Sequence, residues 1–367
     1  MIFGERVRQL REMHGLTQLG LVDRMPDLTQ SQLSRIEKGL SQPDGETTAL
    51  LAATLGVTVD FFTRDPTPEL AGHSPQLRSR SRLTQRSKAS ALQWARLIHE
   101  EHKRMRAHGS AIPVRLESAY GLSPQEAARA MREIMGFTPN QPLPYLVLAI
   151  ERTGVTILGL PLAENSLDAF CAWYEKEPLI GLLDGVPGDR LRFSVAHELG
   201  HLLLHKDRAA GRDIEAEADL FAAELLTPLH ALAGEMPKRL TLSGLAMLKT
   251  RWGVSIKSLV RRARELGVID QERATGLYRQ ISARGWNRAE PGHVPREKPR
   301  SLRKLMEIAY GPALQIETFS AAAGWSYELA TAVLSQHATS EELPFESPAP
   351  RRLPSNVVDF NQARRRA

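Results

Sequence analysis

Residues 193–205, FSVAHELGHLLLH, contain His197 and His201 four residues apart, with Glu198 directly after the first of them. Residues four apart lie on one face of an α-helix, so both imidazoles can bind one metal ion. The neighbouring residues are mostly apolar, and two unpaired imidazoles in a buried helix would be costly unless they bind an ion. Zinc suits a ligand set of histidine and carboxylate with one open position. Glu198 could then take a proton from a water molecule and return it to a leaving amine.

A second acidic motif, EAEADLFAAELLTP, begins fourteen residues beyond His201. Its Glu215 and Asp219 are again four residues apart, and we predict that Glu215 is the third ligand and that Asp219 braces a ligand histidine. Glu217 is the competing choice of ligand. His205 continues the four-residue series, and it is either a fourth ligand or an ordinary, partly exposed histidine, the second interpretation being favoured.

A hydrolytic reaction at this ion would also need a hydrogen-bond donor for the oxyanion of its tetrahedral intermediate. The candidates, which the sequence does not rank, are Tyr174, His230 and Arg192. The pattern HExxH alone arises by accident in roughly a few per cent of chains of this length. The prediction of a metal site therefore depends largely on the second acidic motif.

The elements that must position these residues are mostly helices. Residues 123–136, SPQEAARAMREIMG, predict a helix with Ser123 as its cap and Pro124 in its first turn. YLVLAIERTGVTILGL passes from helix to strand near Gly154, and DAFCAWYEKEPLIGLL indicates two strands around a turn at EKEP. Residues 190–226 hold the metal-binding helix and a second helix. These elements predict an α+β fold that is mainly α with a small β-sheet.

Residues 1–65 indicate a compact unit of short helices, in which Thr17 and Thr29 cap the second and third. Two helices joined by a tight turn, the second with an exposed polar face, are typical of a helix-turn-helix that contacts bases in the major groove. Glutamine can pair with adenine and arginine with guanine, and the start of the second helix can reach a phosphate. The predicted DNA-binding residues are Gln18, Gln30, Ser31, Gln32, Ser34, Arg35 and Lys38.

The charge of the N-terminal unit leaves an alternative open. Residues 1–65 hold seven Lys/Arg against nine Asp/Glu, so a protein-interaction module with a solvated polar face is the competing interpretation. Residues 78–115 hold ten Lys/Arg against two Asp/Glu. This basic segment either helps to bind phosphate or is a solvated helix that joins two domains.

The stretch LTQLGLVDRMPDLTQSQLSRIEKGLSQP resembles the XRE family of phage repressor and Cro type, over residues 3–63. The Thr-Gln start, the Leu-Ser-Arg-Ile-Glu-x-Gly run and the following proline carry the resemblance. Val22 stands where the family usually has alanine, and Pro26-Asp27 replaces a single glycine in the turn. The resemblance implies a five-helix, lambda-repressor-like domain that binds a palindromic operator as a homodimer.

HELGH followed by EAEADLFAAELLTP resembles the ImmA/IrrE metallopeptidases, which are gluzincin-like and often fused to an XRE domain. SPQEAARAMREIMG and ERTGV match the region before their metal-binding helix, so the resemblance spans residues 80–270. It implies zinc-dependent cleavage of a partner protein, typically a repressor. Asp219 stands at the family's usual asparagine and Thr227 at its usual methionine, and neither change removes a ligand.

We expect five regions along the chain. They are a helix-turn-helix DNA-binding domain at 1–65, a linker and basic helix at 66–115, an ImmA/IrrE-like zinc metallopeptidase domain at 116–230, a helical, winged-helix-like region at 231–335 and a disordered tail at 336–367.

Composition limits the possible functions. The single cysteine excludes an internal disulfide and a Cys-ligated cluster, and no run of eighteen apolar residues exists, so we expect a cytoplasmic protein without a membrane span. The net charge of +6 weakly favours an acidic partner. We predict a DNA-binding transcriptional regulator whose zinc peptidase domain cleaves a partner repressor or the chain itself. The alternatives are a non-proteolytic repressor whose metal domain senses a ligand, and the antitoxin or immunity protein of a paired module.

Overall fold

The computed structural model describes residues 1–67, 84–107, 113–116, 119, 121–164, 166–206, 212–237, 239–311 and 315–339. The helices of the first half are α1 Gly4–Met13, α2 Gln18–Val22, α3 Gln30–Glu37, α4 Gly45–Leu55, a 3₁₀ helix Val59–Thr63, α5 Gln85–Arg106, α6 Pro124–Ile134 and α7 Leu146–Glu151. The strands are β1 Thr156–Gly159, β2 Ala169–Tyr174 and β3 Glu177–Leu182. The later helices are α8 Gly188–Leu204, α9 Arg212–Leu226, α10 Leu229–Glu235, α11 Leu242–Trp252, α12 Ile256–Glu265, α13 Gln271–Ala283, α14 Ser301–Tyr310, α15 Ile316–Ala323 and α16 Tyr327–Ser335.

The predicted α+β class is confirmed, because helices surround a single three-stranded sheet in the described ranges. The strands expected around EKEP and after Gly154 are present, and Ser123 caps α6 through a capping box as predicted. The prediction of a disordered tail at 336–367 does not hold for its first residues, because Gln336, His337 and Ala338 are buried. The residues beyond 339 lie outside the described ranges.

A buried glutamate holds the first three helices together. Glu37, at the end of α3, accepts hydrogen bonds from Arg11 Nε of α1 at 2.5 Å and from Gln18 Nε2 of α2 at 2.9 Å. Thr17 and Thr29 cap α2 and α3, which confirms both predicted caps. A desolvated carboxylate is stable only when its lone pairs are satisfied, so these donors fix the angle at which α3 leaves the other two helices.

The sheet has the strand order β1-β3-β2, with β1 parallel and β2 antiparallel to β3. Side chains alternate between its faces, so Cys171 and Ile180 pack on one side, against α8. Phe170 and Leu179 point to the other side, toward α5 and the C-terminal helices. A Cβ at Gly181 would lie 2.6 Å from the Phe170 ring, so a glycine in β3 makes room for that ring. Both faces of the sheet are therefore covered.

Helix α5 belongs to the core. It lies antiparallel to α1, since Ser90 Oγ donates to the carbonyl of Met13 at 2.6 Å near one end and Arg6 pairs with Glu100 at 2.6 Å near the other. Most α5 side chains between Ser90 and Met105 are buried. For this part of the basic segment, the interpretation as a solvated helix is wrong, because its apolar face at helical spacing packs between α1 and the sheet.

The C-terminal helices return to the N-terminal unit. The backbone N–H of Thr58 donates to the carbonyl of Gly324 at 2.9 Å, and that of Ser326 donates to the carbonyl of Gly56 at 2.8 Å. One hydrophobic cluster runs without a break from α1–α4 through α5 and α14–α16 to one face of the sheet. The N-terminal unit and the sheet therefore share a core.

No helix within the described ranges combines the length and the apolar character that crossing a membrane requires.

His337, just beyond α16, links the C-terminal helices to the sheet. Its Nδ1–H donates to the carbonyl of Val333 at 2.8 Å and its Nε2 accepts the N–H of Gly159 at 3.0 Å. This pattern requires the neutral ring. Burial, with a contribution from the charge of Lys298, lowers the pKa of His337 to about 4, although the bond to Val333 opposes the shift.

We expect His337 to make the folded chain sensitive to acid. The pKa of His337 in the folded chain lies below its value of about 6.5 in the unfolded chain. As the pH falls from about 6.5 toward 4, the unfolded state therefore binds more protons than the folded state, and the free energy of unfolding decreases over that window. The contribution of His337 should lower the free energy of unfolding by about 2 kcal/mol at pH 5 relative to pH 7. Urea unfolding at both pH values, with chelator present, should show a pH dependence smaller by this amount in His337→Gln. Equal pH dependence in the two proteins would contradict the assignment.

Candidate metal centre and nucleic-acid interface

Close contact between α8 and α9 positions the residues of both sequence motifs. A Cβ at Gly200 of α8 would lie 3.0 Å from Cδ1 of Phe221 on α9, so the glycine of HELGH allows α9 to pack closely on α8. His197 and His201 are on α8 and are buried, at 8% and 2% exposure. The partly exposed carboxylates Glu215 and Asp219 of α9 therefore reach two buried imidazoles.

Three predicted ligands converge at this contact. The Nε2 atoms of His197 and His201 are 3.0 Å apart, and the carboxylate oxygens of Glu215 lie 3.5 Å from the first and 3.6 Å from the second. Ligand atoms around a tetrahedral zinc ion, with bonds of about 2.0–2.1 Å, are separated by about 3.3 Å. The three side chains therefore fit one such ion. Within the described ranges, no other three His, Cys, Asp or Glu residues bring potential ligand atoms within 4.8 Å of one another.

The two glutamates of α9 that the sequence left as competitors have different neighbours. Glu215 faces both imidazoles, whereas Glu217 Oε2 lies 2.8 Å from Nε2 of His205. The prediction that His205 is partly exposed is wrong, because it is only 2% exposed. Its Nδ1 lies 2.9 Å from Nδ1 of His201, so it contacts the ring nitrogen that faces away from the three converging ligand atoms.

Asp219 contacts the other imidazole directly. Its Oδ1 lies 3.0 Å from Nδ1 of His197, and its Oδ2 lies 3.5 Å from Nη1 of Arg261 on α12. Burial lowers the pKa of His197, but hydrogen bonds to Asp219 and Glu215 outweigh it and raise the pKa to about 9. Burial raises the pKa of Asp219, but the bond to His197 and the charge of Arg261 bring it below its usual value. The site therefore has a negative potential that favours a cation.

Glu198 is fully buried on α8, next to the predicted ligand His197. Its charge contributes to the raised pKa of that histidine, which indicates that carboxylate and imidazole are electrostatically close. Its role as an acid and base remains a prediction.

The predicted base-reading residues of α3 are largely solvent-exposed. Gln30, Ser31, Gln32, Arg35 and Lys38 are exposed, and Ser34 is half-buried. The apolar side of the helix, with Leu33 and Ile36, packs into the core. Arg35 and Lys38 therefore stand free of the core on a face that could enter a major groove.

Two of the predicted DNA contacts already have protein partners. Gln18 is half-buried and donates to Glu37 at 2.9 Å, and Gln32 Oε1 accepts the backbone N–H of Thr29 at 2.8 Å in the capping box. Bidentate pairing with adenine needs both amide atoms. Of the two predicted contacts, Gln32 is the one whose amide oxygen is already used within α3, whereas Gln30 lies outside the capping box.

Comparison with known families separates the chain into two matched regions. The family described as helix-turn-helix matches residues 7–62, and the family described as IrrE N-terminal-like domain matches residues 150–264. The chain combines an XRE-type helix-turn-helix domain with an IrrE-like metallopeptidase-family domain. Both resemblances inferred from the sequence are thereby confirmed. A search of curated proteins found no match to the chain.

The three oxyanion-donor candidates lie outside the ligand cluster of the IrrE-like domain. Arg192 is 4% exposed and its guanidinium contacts the carbonyls of Gly253 and Leu143 and the carboxylate of Glu297. Tyr174 points to the sheet face that is turned away from α8. His230 lies 2.8 Å from the side-chain oxygen of Asn140.

Arg261 is the residue near the site that sequence reasoning missed. It lies 42 residues beyond Asp219 in the chain and contacts that carboxylate only because α12 packs beside α9. A single arginine in an amphipathic helix carries no motif, so nothing in the sequence distinguishes it from the neighbouring arginines of α12.

We expect Asp219→Asn to weaken zinc binding by about 10–100-fold, because a brace on a ligand histidine orients the ring and raises its basicity. Competition with a chromophoric chelator measures this affinity. Asp213→Asn removes the same charge from an exposed position of the same helix and should leave the affinity nearly unchanged. If both variants bound zinc as the parent does, Asp219 would have no bracing role.

Proposed function

We propose that the IrrE-like domain is a zinc-dependent endopeptidase that cleaves a partner repressor or the chain itself, and so switches the genes that the helix-turn-helix domain controls. The two matched domains make the chain a DNA-binding regulator with a protease-like domain. The single observation that supports the enzymatic step is the convergence of His197, His201 and Glu215 on one point.

Zinc is the metal that this ligand set favours. Two imidazole nitrogens and one carboxylate are typical of catalytic zinc sites, in which a fourth position stays open for water or substrate. When bound, the ion would polarise the scissile carbonyl and lower the pKa of water. Glu198 is the group that would take the proton of the attacking water and deliver it to the nitrogen of the leaving amine.

The surroundings of Glu198 support this role. Its burial on α8 excludes bulk water, which strengthens interactions between charges in the site. Its position next to His197 keeps it within one helical turn of both ligands of α8.

Glu198→Gln tests the peptidase proposal most directly. We expect this variant to keep its zinc, because the ligands are unchanged, and to lose cleavage by about 100-fold or more, because general acid–base transfer contributes about 10²–10⁴-fold. Metal content is measured on the purified variant, and cleavage is assayed by gel with the chain itself and with purified regulators encoded near it. Parent-like cleavage would refute the mechanism, whereas release of DNA without cleavage in either protein would favour the ligand-sensing alternative.

The DNA-binding proposal concerns a palindromic operator bound by a homodimer. The exposed polar face of α3 supports it, and the matched helix-turn-helix family agrees with it. The cytoplasmic location expected from the sequence remains a prediction.

Arg35→Ala tests the role of α3. We expect about 10–100-fold weaker binding to a duplex selected from random sequences by the parent protein, because a bidentate contact to guanine contributes about 1–3 kcal/mol. Arg279→Ala removes the same charge from an exposed position of α13 and serves as the control. Electrophoretic or fluorescence titration at fixed salt measures both. An equal effect of the two substitutions would show that only net charge matters.

A further inference from the structure

The two ligand imidazoles of the metal centre are supported in different ways. His197 contacts the carboxylate of Asp219 directly, whereas His205 lies between His201 and the carboxylate of Glu217. His201 Nδ1 lies 2.9 Å from His205 Nδ1, and His205 Nε2 lies 2.8 Å from Glu217 Oε2. Both rings are 2% exposed. We propose that His205 and Glu217 form a relay that fixes the tautomer and orientation of His201, and this inference rests on the proposed metal site.

The contact between two Nδ1 atoms allows only a few proton arrangements. One of the two nitrogens must carry a proton and the other a lone pair, because two protons or two lone pairs at 2.9 Å would repel each other. Water has little access to these buried rings. Which of the two Nδ1 atoms carries the proton therefore depends on the other contact of His205, the one with Glu217.

Glu217 decides between the arrangements. An ionised carboxylate only accepts hydrogen bonds, so the nitrogen that faces it, His205 Nε2, must carry a proton. In the neutral ring, His205 Nδ1 is then an acceptor, and the proton between the two rings belongs to His201 Nδ1. The lone pair of His201 is thereby left on Nε2, the atom that faces His197 and Glu215.

The relay therefore affects Nε2 of His201, although Glu217 is two rings away from that atom. A negative charge on α9 determines, through two rings, which nitrogen of His201 offers its lone pair to a cation. His205 and Glu217 are positioning residues, since both act on the ligand atom through the ring of His201. His205, one helical turn beyond HELGH, and Glu217, in the middle of the acidic motif, both acquire a role through these contacts.

Zinc affinity and the proton position on His201 both report on the relay. Affinity is measured by competition with a chelator, and the tautomer by ¹⁵N NMR of histidine-labelled, metal-free protein, with His201 assigned by its loss in His201→Gln. The variants are Glu217→Gln, His205→Phe and His205→Gln, with Asp213→Asn as the control for loss of charge on α9.

We expect Glu217→Gln to weaken zinc binding about tenfold and His205→Phe about 10–100-fold. Glutamine at 217 can donate to His205 as well as accept, so His201 should populate both tautomers instead of the Nδ1–H form alone. A glutamine at position 205 has one acceptor for His201 and one donor for Glu217. The His205→Gln variant should therefore bind zinc more tightly than the His205→Phe variant. Asp213→Asn should match the parent in both measurements.

Failure of the relay and failure of the proposed function give different results. In one case, the parent binds zinc and cleaves protein, but Glu217→Gln has the same zinc affinity as Asp213→Asn and His201 keeps a single Nδ1–H tautomer in both variants. The relay is then refuted and the proposed peptidase function stands. If the parent binds no zinc while the tautomer of His201 still changes in Glu217→Gln, the relay stands and the proposed function is refuted. A parent His201 that carries its proton on Nε2 would overturn the relay by itself.

Discussion

The close packing of α9 on α8 is the contact on which the candidate metal centre depends. His197 and His201 share a face of α8 by helical geometry alone, but a third ligand must come from another helix, and Gly200 is what permits Phe221 and the rest of α9 to approach. The same approach brings Asp219 to His197 and Glu217 to His205. One small residue in the motif therefore positions the carboxylates of a second motif.

A second constraint connects this centre to the DNA-binding half of the chain. The sheet that supports α8 on one face packs with its other face against α5 and the C-terminal helices, and these reach α1 and the 3₁₀ helix. Partly buried polar contacts, among them Arg6 with Glu100, stabilise this junction. The IrrE-like domain and the helix-turn-helix domain are thus connected by continuously packed side chains on the two faces of the sheet.

Much of the candidate site followed from local pattern. HELGH and the four-residue spacing of Glu215 and Asp219 indicated which side chains could meet, since helical periodicity is a local property. The caps Thr17, Thr29 and Ser123 were predictable for the same reason. For α5, the interpretation as a solvated helix was wrong because net charge along the sequence does not reveal that Trp94 and its neighbours are buried in the shared core.

By itself, the sequence determined the α+β class, the two families and the residues able to bind a cation, because these depend on short-range spacing and residue chemistry. The sequence favoured Glu215 over Glu217 without excluding the second. Only the tertiary structure showed that Glu215 faces the imidazoles, that His205 is buried against His201, and that Arg261 reaches Asp219. Each of these depends on how closely two helices approach and how they are rotated about their axes. Packing of side chains distant in sequence sets that geometry, and no local pattern encodes it.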